Sequence, residues 1–374
     1  MDHKIILHLS LIPHIGPATV DAIITNRSED MSLQDLYHLN VLQAMRELGL
    51  SRKQAEALVY GLADKQKLDQ ELKLIEEHGI SWVSRYQETY PILLKEIHVP
   101  PTVLYWQGNM QPDNTQLIAY VGARKADAYG KSVMNQLVPA CVEQGFGIVS
   151  GGALGADSMA HEATLMCGGY TIAVIGSGLL QPYPRSNKKL FERIITHGGA
   201  VVSPFPLHTG SMPGNFPARN RIIAGMSRAC VVVQAARRSG ARITAQCALE
   251  QGREVGAVPG PIDHTLSVGC HELIQEGAKL VQKAQDILIE LGYQPASIEE
   301  KEAIPVKEIS IKARQEPVLE DVSATIIRSC IKPQTIDELL EITNLCLPDL
   351  NTKLFELQLA GYLSQNMAGL WERI

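Results

Sequence analysis

The residues best suited to chemistry begin with one glycine cluster, "SGGALGAD" at 150–157, which follows a short apolar run and opens a helical pattern. Gly151, Gly152 and Gly155 let backbone amides approach an anion closely, and the helix that follows aims its N-terminus at the same place. That is phosphate chemistry. The spacing is GGxxG rather than GxGxxG, and the chain contains no GxxxxGK[ST], which argues against a dinucleotide fingerprint and a Walker-type loop. Arg124, in "VGARKADAYG", lies just past another apolar run, and a guanidinium fork suits phosphate oxygens. "FPARNRIIAGMS" brings Arg219, Asn220 and Arg221, while "RRSGARITA" brings Ser239, Gly240 and Thr244 at a further helix start. Ile222, Ile223 and Met226 form a helical core face, and Arg219 precedes them on that face, so it is expected to overhang the strand ends. Arg221, two residues on, lies about 200° around a helix from Arg219. If the helix has begun by 219, only one of the two arginines faces the site, and Arg219 is the expected ligand.

A parallel sheet is needed to gather these segments. Candidate strands are 117–122, 147–150, 171–176, 200–203, 229–235 and 254–258, with amphipathic helical segments between most of them. Their apolar character is continuous rather than alternating, which predicts an α/β fold with a parallel sheet covered on both faces. In such a sheet ligands bind beyond the carboxyl ends of the strands, where all four segments fall. Residues 1–79 read as helical. Residues 294–319 hold three prolines and no hydrophobic period, the mark of a linker. Residues 320–374 read as three short helices and a hairpin, the outline of a winged helix. The expected divisions are therefore 1–79, 80–293, 294–319 and 320–374.

Net charge is -6, but it is segregated. Residues 185–253 carry eleven Lys and Arg against two Glu, whereas 1–79 carry 8 cations against 12 anions and 320–374 carry 4 against 8. A concentrated positive block is what a polyanion site needs. The seven cysteines form no CxxC pair and no Cys/His cluster with metal-ligand spacing, as expected of buried reduced thiols in a cytoplasmic protein. The N-terminus does not read as a secretory signal. The uncharged stretch 163–184 is broken by four glycines, so no membrane helix is expected.

"VGARKADAYG", "SGGALGADSMAHEA", "TIAVIGSGLLQPYPRSN", "FPARNRIIAGMSRACVVVQAARRSGARITAQCALEQGREVGAVPG" and "GCHELIQEGA" occur in that order, after "YPILLKEIHVPPTVLYWQG". Over roughly residues 80–290 this resembles the bacterial DNA-processing protein A (DprA/Smf) family. The resemblance implies an extended Rossmann-like central domain between a small N-terminal helical (SAM/helix-hairpin-helix-like) domain and a C-terminal winged-helix-like domain. It implies a homodimer that binds single-stranded DNA, helps load a RecA-type recombinase in natural transformation, and works alongside single-strand-binding protein, with no catalysis and no cofactor. By motif, the implied DNA contacts are Arg124, Gly151, Gly152, Ala153, Arg219, Asn220, Arg221, Ser239 and Gly240; Lys188 and Lys189 are weaker candidates. Gly155 and Thr244 join them from the residue reading above. Ala123, Pro204, Gln234 and His271 depart from the family's pattern, which leaves the fine geometry open.

Two competing readings stay open: a nucleotide or nucleoside-phosphate hydrolase on a related Rossmann-like fold, and a ligand sensor. The hydrolase reading would draw on Asp157, His161 and Glu162, but Asp157 and His161 are i, i+4 neighbours and fit better as a pair in the first turns of a helix. Phe216 and Tyr183 are the aromatics best placed for base stacking. "IPHIGPATVDAIIT" is similar to a helix-hairpin-helix but lacks a nearby cation. "PDLNTKLFELQLAG" is net negative, which argues against strong duplex binding by the C-terminal region.

Overall fold

Short β-branched runs bounded by glycine and polar residues become a nine-stranded sheet in the computed structural model, which describes residues 2–111, 116–293, 321–366 and 370–373. The strands are β1 (Ser81–Ser84), β2 (Val103–Gly108), β3 (Leu117–Val121), β4 (Gly147–Ser150), β5 (Thr171–Val174), β6 (Ala200–Ser203), β7 (Ala229–Val232), β8 (Glu254–Ala257) and β9 (Lys279–Leu280), in spatial order β1-β2-β6-β5-β4-β3-β7-β8-β9. The run from β6 to β9 is parallel, with Ile118 opposite Ile148 on one side and Ala229 on the other. The six candidate strands thus form the parallel centre. The antiparallel pair β1–β2, which completes one edge by pairing with β6, was not among them. The chain leaves β3 toward β4 and later returns to β3's other side as β7, so the order reverses between β3 and β7. That reversal opens the crevice where such sheets bind ligands.

The sheet is apolar on both faces because both are covered. Leu117, Ala119 and Val121 of β3 point into a core shared with Ile222, Ile223 and Met226, while Ile118 and Tyr120 pack with Met134, Leu137 and Val138 on the opposite face. The covering helices are α6 (Ile92–Lys95), α7 (Ala128–Glu143), α8 (Ala156–Met166), α9 (Lys188–Thr196), α10 (Asn215–Gly225), α11 (Gly240–Glu250), α12 (Val268–Gln275) and α13 (Ala284–Glu290).

Five helices precede the sheet: α1 (His3–Ser10), α2 (Pro17–Asn26), α3 (Val41–Leu48), α4 (Arg52–Ala63) and α5 (Lys65–Glu77). They enclose a core of their own around Ile6, Leu9, Val20, Ile23 and Leu58. Leu7, Leu68 and Ile75 face outward from it into a core shared with Tyr105, Ile175 and Leu207. The buried Glu71 carboxylate seals this junction by accepting from the Leu207 amide at 2.9 Å. The described residues up to 293 accordingly form one compact unit, and those from 321 on form a second. The linker expected at 294–319 lies outside the described residues.

The second unit consists of α14 (Asp321–Ser329), α15 (Ile336–Thr343) and α16 (Leu347–Leu359), followed by the antiparallel pair β10 (Leu363–Gln365) and β11 (Trp371–Arg373). Thr335 caps α15 by accepting from the Glu338 amide, and the Gln334 and Trp371 backbones exchange hydrogen bonds at 2.8 and 2.9 Å. Ile326, Leu339, Leu350, Leu354 and Leu363 fill its core.

Candidate functional site

The glycine cluster forms the turn between β4 and α8. Gly155 holds φ +78°, and a Cβ there would meet the Ala123 and Arg124 carbonyl groups. That closeness is built in, because the Ala156 amide donates to the Ala123 carbonyl at 3.1 Å and ties the glycine turn to the loop after β3. Arg124 therefore stands beside the turn, exposed, with its guanidinium 5.2 Å from the centre of the Phe216 ring. Asp127, a residue not singled out from the sequence, anchors that loop. It caps α7 by accepting from the Tyr129 and Gly130 amides, and it also accepts from Gln234 Nε2 at 2.9 Å. Gln234 Oε1 accepts in return from the Asp127 amide at 3.1 Å. The departure at 234 thus has a local logic: the amide can donate to a carboxylate, which a glutamate side chain in ionised form cannot.

Helix α10 begins at Asn215, so 219 and 221 both lie within it and face different ways. Arg219 does not overhang the strand ends as expected from the sequence; it is 4 % exposed. Its Nη1 donates to the carbonyls of Gly151 and Val174, and its Nε donates to Asn220 Oδ1 at 3.1 Å. Burial pulls its pKa down to about 10, against the upward pull of Asp157. Arg219 is therefore the brace beneath the glycine turn, and its charge reaches the site from below. Arg221 turns to the other side of the helix and donates to the carbonyls of His98 and Val99.

The expected i, i+4 pairing of Asp157 with His161 is not what forms. Asp157 is buried beside Arg219, accepts from the Ala153 amide at 3.3 Å, and has its pKa raised by burial. His161 is fully buried with Nδ1 2.8 Å from Thr171 Oγ1. The Thr171 hydroxyl already donates to the Ile148 carbonyl, so the histidine must donate from Nδ1. Burial drives its pKa down to about 3. No sequence signal distinguished these two residues from an ordinary helical pair.

A pocket of about 240 Å³ opens where β3, β4 and β7 end, between Arg124, Ala153, Phe216, Asn220, Ser239 and Gly240. Helices α8 and α11 both start at its edge and bring two positive dipole ends to one place, while the Ala156, Ser158, Ala241 and Arg242 amides are taken up by local carbonyl and hydroxyl groups. Ser239 caps α11, its Oγ accepting from the Ala241 amide at 3.2 Å. Asn220 Nδ2 reaches the Gly240 carbonyl at 3.4 Å and links α10 to that cap. Thr244 is buried one turn further along, with its hydroxyl on the Gly240 carbonyl, so it supports the pocket wall. Both guanidiniums approach the Phe216 ring, Arg124 at 5.2 Å and Arg219 at 5.9 Å from its centre, and the Tyr183 ring lies edge-on to it at 5.9 Å.

Lys188 and Lys189 are exposed at the start of α9, and Lys188 borders a separate groove with Arg185 and Gln107. The turn of chain just before them does touch the site, because Asn187 Nδ2 donates to the Gly152 carbonyl at 2.9 Å. The positive block at 185–253 is dispersed rather than a single patch. Arg193 pairs with Glu162, Arg237 and Arg242 pair with Glu272, and Arg228 and Arg253 donate to the carbonyls of Leu291 and Leu93. Charge counted along the chain therefore overstated the free charge at the site. Among the described residues, no group of His, Cys, Asp and Glu could hold a metal ion, and no helix is long and apolar enough to cross a membrane.

Residues 81–292 match the family described as DNA recombination-mediator protein A. The chain belongs to that family. It is 33 % identical to Protein Smf of Escherichia coli strain K12 over 334 residues, covering 86 % of this chain and 84 % of that protein. It is 42 % identical over 226 residues to the DNA processing protein DprA of Bacillus subtilis strain 168, covering 60 % of this chain and 76 % of that one. The fold is that of family members too. The X-ray structure of DNA processing protein A from Streptococcus pneumoniae aligns with TM-score 0.66 at 33 % identity, over 78 % of this chain and 98 % of that one. A structure of the Helicobacter pylori family member, described as giving insight into its "unique single-stranded DNA binding mode", aligns with TM-score 0.52 at 27 % identity, over 57 % of this chain and 97 % of that one.

Proposed function

We propose that this chain binds single-stranded DNA, seating backbone phosphates at the crevice between β3 and β7. The observation that carries this reading is the convergence of two helix N-termini and the exposed Arg124 guanidinium on one shallow pocket. Backbone amides of the glycine turn and of Ser239–Gly240 supply uncharged donors, Arg124 supplies the fork, and Phe216 offers a ring face to an unstacked base. Family membership and the single-strand binding described for the Helicobacter pylori relative support the same reading. The hydrolase alternative loses its chemistry, since His161 is sealed against Thr171 and Asp157 is committed to the turn.

The remaining parts of the proposal rest on the family. The protein acts as a homodimer in the cytoplasm, without catalysis, and delivers the strand to a RecA-type recombinase on DNA coated by single-strand-binding protein. Two linked sites hold a strand by avidity while neighbouring nucleotides stay free. The second unit, three helices and a hairpin, is a winged-helix-like module with an acidic surface suited to protein contacts.

The test is fluorescence anisotropy with labelled oligo-dT. Binding should weaken steeply with salt as counterions are released, and duplex DNA and mononucleotides should compete poorly. Equal affinity for duplex, or displacement by low concentrations of a mononucleotide, would overturn the reading.

A further inference from the structure

Helix α5 buries one stripe, Leu68, Glu71 and Ile75. Two of the three are apolar, and the glutamate between them is 7 % exposed. A carboxylate is almost never buried so far unless its lost hydration is replaced by hydrogen bonds or charge. Burial raises the Glu71 pKa, and the Leu207 amide, from which Oε1 accepts at 2.9 Å, pulls the other way. That amide belongs to the loop between β6 and α10, 136 residues further along the chain. Leu207 is a junction. Its side chain is buried in the core that also holds Leu7 and Leu68. Its carbonyl accepts from the Leu180 amide at 3.0 Å, and the Thr209 carbonyl accepts from the Gly178 amide at 2.8 Å. A Cβ on Gly178 would run into the Pro206 and Leu207 carbonyl oxygens, so the two segments are in tight contact. One of them runs on to Tyr183. The other runs through Gly210, whose carbonyl accepts from Asn215 Nδ2 at 3.2 Å, to Phe216 in the first turn of α10.

We propose that Glu71 is a positioning residue for the DNA pocket: by holding the Leu207 amide, the N-terminal helices fix the Phe216–Tyr183 pair against which an unstacked base rests. The inference builds on the proposed binding of single-stranded DNA and gives the N-terminal helices a part in it, although none of their residues lines the pocket. An apolar side chain at 71 would suit the stripe, but it would strand a buried backbone N–H. Reach matters here more than charge. An amide oxygen at the same distance accepts as the carboxylate does, whereas a carboxylate one methylene shorter falls away from the Leu207 amide. The Arg124 side of the pocket is held separately, through Asp127 and Gln234, so the effect of Glu71 is confined to the aromatic side.

The experiment compares full-length parent, Glu71→Leu, Glu71→Asp and Glu71→Gln by backbone hydrogen exchange and by oligo-dT anisotropy, with thermal melting to verify folding. Glu71→Leu and Glu71→Asp should speed exchange across 204–216 by about tenfold while the turns at 122–127 and 150–155 keep the parental rate. Both should weaken oligo-dT binding by about three- to tenfold. Glu71→Gln should match the parent within about twofold in both measurements; Glu71→Asp against Glu71→Gln carries the comparison even where the leucine variant does not fold. The loss from Glu71→Asp should vanish in a Phe216→Ala background and persist in an Arg124→Ala background, a split that general destabilisation does not produce. Parental affinity in a folded Glu71→Asp protein, rescue by aspartate but not glutamine, or full additivity with Phe216→Ala would overturn the proposal while leaving the DNA reading intact. A parent that fails to bind oligo-dT overturns both.

Discussion

The β3–β4–β7 edge of the sheet and helix α16 are two places where this protein could present itself to nucleic acid, and they are built on opposite plans. At the sheet edge, the donors are backbone amides and one exposed arginine, and a second arginine is buried beneath to hold the turn in shape. On α16, Lys353 is paired with Glu356 at 3.1 Å, and the most exposed large apolar side chain among the described residues is Phe355. On the proposed reading, the first surface attracts phosphate through geometry that side-chain counting misses. The second carries a basic residue whose charge is already matched, so it offers a polyanion little.

Five measurements would break or sharpen that contrast. Arg219→Ala has the largest expected effect, because it leaves the Gly151 and Val174 carbonyls unpaired and Asp157 without its compensating charge. A loss of about 3–5 kcal/mol of stability is expected, read by urea denaturation, with DNA binding lost alongside it. An arginine overhanging the strand ends, as the sequence suggested for this one, would be removable without harm to the fold; parental stability in the variant would restore that view.

Next comes acid. The folded His161 pKa is about 3 and the ordinary value is 6.5. The unfolded chain therefore takes up the proton first as pH falls, and the native state loses stability from about pH 6.5 downward. By pH 4 the cost should reach about 3 kcal/mol, and His161→Gln should show a visibly flatter stability curve between those values. The second unit contains no histidine, so near-neutral acid should loosen the first unit selectively. Identical curves for parent and variant would remove His161 from the account.

Arg124→Ala should weaken oligo-dT binding by about 1–3 kcal/mol without altering the melting transition, since the side chain is exposed and touches only an aromatic face. An unchanged affinity would place the site on another edge. Lys188→Ala and Lys189→Ala should each cost under about 1 kcal/mol and mainly make the salt dependence shallower. The smallest effect is expected on α16, where Phe355→Ala and Lys353→Ala should leave single-strand affinity unchanged. A loss comparable to that of Arg124→Ala would reverse the contrast drawn above.

The parallel centre of the fold was legible because continuous apolar runs such as 117–121 and 147–150 leave little alternative to a doubly covered sheet. β1 and β2 were not, since "SWVS" and "VLYWQG" are short, mixed in character and antiparallel at an edge. The tight turn between β4 and α8 was readable from its glycines, and the opposed directions of Arg219 and Arg221 followed from helical geometry alone. The depth of Arg219 did not follow. Whether an arginine overhangs a site or lies beneath it depends on backbone carbonyls from β5 and the turn after β4, and no local pattern at 219 encodes them. Asp157 and His161 were misjudged for the same reason, because a helix's periodicity gives direction but not the partners waiting there.

Gly151 carries a consequence for how such a site should be searched. A methyl group added there would lie 2.5 Å from both Arg219 Nη1 and Asp157 Oδ2. A sensitive point of the pocket is thus one with no side chain to remove. A conventional alanine scan, which works by deleting atoms, passes over positions whose contribution is vacant space. Screens that add bulk, one methyl at a time along 151–155, would map this surface with more contrast than any series of deletions.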